Sequence, residues 1–214
     1  MVEEILLLSG NDIPFFPAKI NIHPPTIREI SLIGEENFFL GCQLLNFSKD
    51  VLNEEDRINL VDSDDFDILM SIVCAEGADA QQLRALMVLS LMFPDYSPEF
   101  QLDGIHLTLL EEEDEIKEIV LIDKEIFLAF QEIVSQVFGL KPEGEKEFKP
   151  QNEAARKIAE KLKKGRQRTA ATKSTGSNKI AIFSRYISIL AVGLRLDINV
   201  LLDNTVYQIS ITWI

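Results

Sequence analysis

At 214 residues the chain has room for one good-sized domain, or for a domain with a helical appendage. Its 46% hydrophobic and 26% charged content exclude wholesale disorder, and two cysteines are too few to staple a fold of this size. The formal net charge of −14 is unevenly spread: residues 1–150 hold 31 acidic and 10 basic residues, whereas 151–214 hold 4 and 11. Two surfaces of opposite sign, or an internal electrostatic clasp, follow from that asymmetry.

The N-terminus, "MVEEILLLSG", places Glu3 and Glu4 where a secretory leader needs positive charge, and its apolar run is too short for one. With "NDIPFFPAKINIHPP" it predicts one or two short strands, broken at Gly10 and the prolines. Thr26 and Glu29 then form a T-x-x-E capping box after Pro24-Pro25, which predicts a helix from about Ile27 to Leu45. Its buried side draws on Ile27, Ile30, Ile33 and Leu44, helped by Phe38, Phe39 and Leu40.

The acidic loop "DSDDFD" opens a second helix through Ile68, Leu69, Ile72 and Val73. A third begins near Asp79 and stops at Phe93, with Leu83, Leu86, Met87, Ser90 and Leu91 at helical spacing. From Glu99 the period changes to two. "FQLDGIHLTLL" predicts a hairpin turning at Asp103-Gly104, "EEEDE" a solvated turn and "IKEIVLI" a third strand. Asp123 caps a helix with an apolar face of Ile126, Phe127, Phe130, Ile133, Val134, Val137 and Phe138, ended by Gly139 and Pro142. The expected fold class is α+β: an N-terminal domain of helices with a small antiparallel β meander, over residues 1–141.

A polar linker, 142–152, leads to a C-terminal helical module over 153–214. Ala155, Ile158, Ala159 and Leu162 fall on one helical face, with Lys157, Lys161 and Lys164 beside it. Gly165 begins a basic hinge, 165–179, within a stretch (161–179) that holds seven basic residues and no acidic one. The helix that follows, "IAIFSRYISILAVGL", is so apolar that most of its sides need cover, whether from the main domain, another copy or a different partner. Ser184, Arg185 and Ser188 interrupt it, and it falls short of the roughly 20 residues that span a bilayer. Asp197 caps a last helix, "INVLLDNTVYQ", and the closing "ISITWI" is strand-like. These features predict a soluble cytoplasmic protein, with Cys42 and Cys74 reduced in apolar settings.

Little here speaks for catalysis. His23 and His106 lack partners at metal-ligand or nucleophile spacing, and no phosphate-cradling glycine motif or nucleophile elbow is present. Asp62, Asp64, Asp65 and Asp67 lack the glycine and distal glutamate of a calcium loop and read instead as a solvated helix start. No enzyme, metal or cofactor is expected. Nor does the basic stretch carry aromatic residues for base stacking or any nucleic-acid-binding signature, and the acidic domain beside it would repel a polyanion.

"INIHPPTIREISLIGEENFF" resembles the opening of the tail assembly chaperones of long-tailed phages of Gram-positive bacteria. "LMFPDY" with the meander after it is similar, as is "NEAARKIAEKLKKGR…SRYISILAVGLRLDINVLLDNTVYQ"; together the likeness runs from about Ile20 to Gln208. It implies a non-enzymatic protein that binds the tape measure protein before the tail tube polymerises and helps recruit tube subunits. Such a protein acts in the host cytoplasm and is missing from the finished virion. The C-terminal module is then the expected binding element. Ile158, Leu162, Phe183, Tyr186, Ile187, Leu190 and Leu201 would supply apolar contact, and Lys161, Lys164 and Arg166 would steer an acidic partner. A homo-oligomer is compatible with this, and no membrane partner is expected. The family pattern continues past "TVYQ" with a polar helix, so "ISITWI" is read as a shifted frame or a truncated end. The alternatives are a minor structural component of the tail or capsid and, more distantly, a nucleic-acid-binding regulator.

Overall fold

The computed structural model describes residues 2–49, 63–110, 119–138 and 182–212. They build a mixed α+β fold, with helices around a two-stranded and a three-stranded antiparallel sheet. Residues 1–140 and 182–214 belong to one compact unit. The linker 142–152, the helix of 153–164 and the hinge 165–179 all fall outside the described residues, as does the acidic turn 111–115.

The N-terminal segment is not a strand. Glu4–Ser9 is helical (α1), closed by Gly10 at φ 69°. Three leucines in a row have no period of their own. Packing decides the matter here: Leu7 is buried, and the Leu8 carbonyl accepts from Gln208 Nε2 at 2.7 Å. Strands Ile13–Phe15 (β1) and Ile20–Ile22 (β2) pair antiparallel, Ile13 opposite Ile22, and bury Ile13, Phe15, Ile20 and Ile22 in alternation.

The capping box at Thr26 forms as its spacing requires, with Thr26 Oγ1 accepting the Glu29 N–H and the Glu29 carboxylate accepting the Thr26 N–H. The expected single helix is two, Ile27–Ile33 (α2) and Glu35–Leu45 (α3), broken at Gly34. Gly34 has φ 84° and ψ 139°, a conformation that favours glycine, and its carbonyl accepts the Phe38 N–H to begin α3. Leu40, expected on the buried side, is exposed, while Phe38, Cys42 and Leu45 face inward.

Asp65–Val73 (α4) is capped by Asp64, and Asp79–Met92 (α5) follows. The buried face of α5 is Ala85, Val88, Leu89 and Met92, not the stripe through Leu83, Leu86, Met87 and Leu91; Leu83 is exposed. Both faces are apolar enough to bury, and α3 chooses between them. A Cβ on Gly41 would lie 2.5 Å from the Arg84 carbonyl oxygen and 2.6 Å from a Val88 methyl, so the two backbones meet where Gly41 leaves room.

The meander is Tyr96–Gln101 (β3), Gly104–Leu109 (β4) and Ile119–Ile122 (β5), in the order β3-β4-β5. Gln101 pairs with Gly104, so the two-residue turn is Leu102-Asp103, one position earlier than expected. Asp123 caps Lys124–Val137 (α6), its carboxylate accepting from the Glu125 and Ile126 N–H groups. Phe130 of α6 sits at the centre of the core, its ring 6.2 Å from Phe15, 6.1 Å from Phe93 and 6.1 Å from Phe127.

Three helices close the described chain: Ile182–Leu194 (α7), Ile198–Leu202 (α8) and Val206–Thr212 (α9). The expected last helix is thus divided at Asp203–Thr205. The first four residues of "ISITWI" continue α9 and are helical, not strand-like.

Candidate functional site

Partner binding is expected on the C-terminal helices, and the structure sorts their residues into two faces. Phe183, Ile187 and Leu190, spaced i, i+4, i+7 along α7, are all buried, and Leu201 of α8 joins them. In this fold they serve the chain's own core. Tyr186 lies partly exposed at the margin. Ile158, Leu162, Lys161, Lys164 and Arg166 fall outside the described residues.

The inner face of α7 docks on α3 through aromatic rings. Phe183 stacks on Phe39 with centroids 5.1 Å apart and planes at 23°, and it meets Phe38 at 6.1 Å. Phe38 in turn meets Phe138 edge-on at 5.0 Å, joining α7 to the end of α6. The Glu35 carboxylate, at the start of α3, accepts the Phe183 N–H. A negative charge at the first turn of α7 suits the exposed amides and the dipole there.

The segment after α8 is fastened to the N-terminal part at several points. Arg28 donates from Nε to Asp203 Oδ1 at 2.6 Å and from Nη2 to the Asn199 carbonyl at 3.2 Å. The Ile27 N–H donates to the Asn204 carbonyl at 2.9 Å, and Thr26 pairs with Thr205 in an antiparallel bridge. Thr205 and Gln208 form a second capping box: the Thr205 N–H donates to Gln208 Oε1 at 2.8 Å, and the Gln208 N–H to Thr205 Oγ1 at 3.3 Å. The N-caps of α2 and α9 therefore lie side by side. The T-x-x-Q spacing that marks the second box is plain in "TVYQ", although in the expected last helix it falls in the helix interior.

The outward face is apolar. Ile189 and Val192 on α7, Leu196 at the corner, and Ile198 and Val200 on α8 are exposed, Val192 at 81% of its surface. Exposed apolar side chains on two adjoining helices form a patch of the kind that marks an interaction surface. An apolar, open face can cover hydrophobic surface on another protein.

Several titratable groups elsewhere have structural partners. His23 lies between two carboxylates, with Nδ1 2.9 Å from Asp12 and Nε2 3.3 Å from Glu29. Partial burial works against the imidazolium, yet the hydrogen bonds and charges of Asp12 and Glu29 outweigh it and raise the pKa of His23. The β1–β2 hairpin brings Asp12 to this position, a closure that residue spacing does not display. His106 Nε2 is 2.8 Å from Asp103. Asp64 and Asp67 share the Lys124 ammonium at 2.5 and 2.9 Å, which offsets part of the negative charge at the start of α4. Cys42 is a buried free thiol whose ionisation burial suppresses, and Cys74 is free and half-buried. Among the described residues no group of three or more His, Cys, Asp or Glu side chains could hold a metal ion, and no helix is long and apolar enough to cross a membrane.

Comparison with protein-family models, curated proteins and solved structures finds no match for this chain.

Proposed function

We propose that the chain is a non-enzymatic tail assembly chaperone that holds the tape measure protein in the host cytoplasm until the tail tube polymerises around it. The observation that carries this reading is the uncovered apolar face of α7 and α8, mounted on a body whose first 150 residues hold 31 acidic against 10 basic residues. Apolar helical surface suits the capture of long helical segments, and a strongly charged body keeps the loaded assembly soluble. The resemblance from Ile20 to Gln208 supplies the identity of the client.

Co-expression with the long, helix-rich tape measure protein that the resemblance implies as client tests the reading. Size-exclusion chromatography with mass detection is expected to show many copies of this chain co-eluting with that protein and keeping it soluble. Mass spectrometry of purified particles is expected to find none of the chain. Precipitation of the long protein while this chain elutes alone, or the chain's presence in the particle, would count against the chaperone role.

A further inference from the structure

Two arginines bracket the exposed stripe on α7. Arg185 stands one turn before Ile189 on the same face, and Arg195 immediately follows the helix. Both are exposed, and among the described residues neither has an ion pair or a side-chain hydrogen bond. Arg195 also occupies an unusual position. The Leu196 N–H reaches back to the Ala191 carbonyl at 3.1 Å in a Schellman turn, which places Arg195 in the left-handed conformation at φ 55°. Glycine is the usual residue there because a Cβ is disfavoured. An arginine held in that conformation with no ion pair among the described residues leaves its guanidinium open to a carboxylate from outside them.

We propose that this stripe docks an amphipathic helix of a partner protein, whose apolar face packs on Ile189, Val192 and Leu196 and whose carboxylates pair with Arg185 and Arg195. Ten residues separate the arginines, about 15 Å at the α-helical rise, so the complementary carboxylates stand some ten residues apart on the partner helix. Charge decides against two other occupants. A second copy related by a two-fold axis through the stripe would set arginine against arginine, and each copy carries −14. An anionic lipid surface would attract the two arginines but repel the acidic body. The inference deepens the chaperone reading by naming its surface and the chemistry of its client.

The probe is a designed, fluorescently labelled amphipathic helix with leucines at i, i+3, i+4 and i+7 and glutamates ten residues apart. Its binding to the full chain is read by anisotropy at low salt. Saturable binding is expected, weakened about tenfold or more by Val192→Glu, which changes an exposed residue at the centre of the stripe. Arg195→Gly is expected to raise the thermal midpoint of the free chain while weakening the peptide several-fold. A purely structural Arg195 would not show that pair of effects. A lysine-flanked peptide is expected to bind poorly to the wild type and to recover on the Arg185→Glu/Arg195→Glu chain.

Absent binding, or equal binding by Val192→Glu, overturns the proposal. So does a dimer of the free chain that Val192→Glu dissociates, or sedimentation with anionic vesicles that the same change abolishes. The two readings fail separately. A chain that binds the peptide through this stripe yet leaves the tape measure protein insoluble keeps the surface and loses the chaperone role. If Val192→Glu holds the tape measure protein as well as the wild type does, the role survives and the surface falls.

Discussion

Thr205 performs two tasks from one buried position: its backbone bridges to Thr26, and its hydroxyl caps α9. Replacing it by alanine removes the cap and is expected to cost about 1 kcal/mol, read as a lowered urea midpoint with unchanged slope. Gln208 reinforces the same junction, since its amide group reaches both Thr205 and Leu8. His23 adds a pH term close by. Its folded pKa is raised, so its contribution is complete below the unfolded value of about 6.5 and is lost as pH rises through the folded value. Urea midpoints measured from pH 5.5 to 8.5 are expected to fall more in the wild type than in His23→Gln. Equal slopes would mean that the contacts with Asp12 and Glu29 carry no net linkage. Of these residue-scale features, Thr26–Glu29 was legible because its box follows Pro24-Pro25 at a helix start, whereas the Thr205–Gln208 box lies inside an otherwise helical run. The clasp on His23 was not, because it depends on where a hairpin delivers Asp12.

At the scale of elements, the helices that matter most are held by side chains distant in sequence. Phe183 joins α7 to α3 through Phe39 and Phe38, rings with no sequence signal linking them. Phe183→Ala is expected to cost about 3 kcal/mol, and a double-mutant cycle with Phe39→Leu to show coupling of about 0.5–1.5 kcal/mol. The α3–α5 contact is as sensitive in the other direction. Gly41→Ala places a methyl against the Arg84 carbonyl, where backbone cannot yield as a side-chain end does. A loss of about 1–3 kcal/mol in denaturant unfolding is expected. Helix existence was legible from spacing and caps in α2, α4, α5 and α6. Helix faces were less so, because α5 is apolar on both sides and only its neighbour selects one. The strand expected over "ILLL" and the strand-like "ISIT" show the same limit: short apolar runs take their form from what they pack against.

For the molecule as a whole, the C-terminal helices are part of the body. Residues 182–214 share a compact unit with 1–140, and Phe183, Ile187, Leu190, Leu201, Val206 and Ile209 are buried. At about 1.5–3 kcal/mol for each buried apolar side chain, these six contribute on the order of 10 kcal/mol, comparable to the entire stability of a typical domain at about 5–15 kcal/mol. A chain ending at residue 181 is therefore expected to lose its cooperative unfolding transition and to bind a hydrophobic dye. A cooperative transition retained in that truncation would show that residues 1–140 are self-sufficient. Local period, turn chemistry and capping spacing suffice for the fold class, the meander, three Asp-capped helix starts and the apolar character of α7. Which side of α7 is core and which is open follows from packing between distant segments. Both sides are apolar, and contacts such as Phe183 on Phe38 and Phe39 of α3, some 150 residues earlier in the chain, bury one side while the other stays exposed.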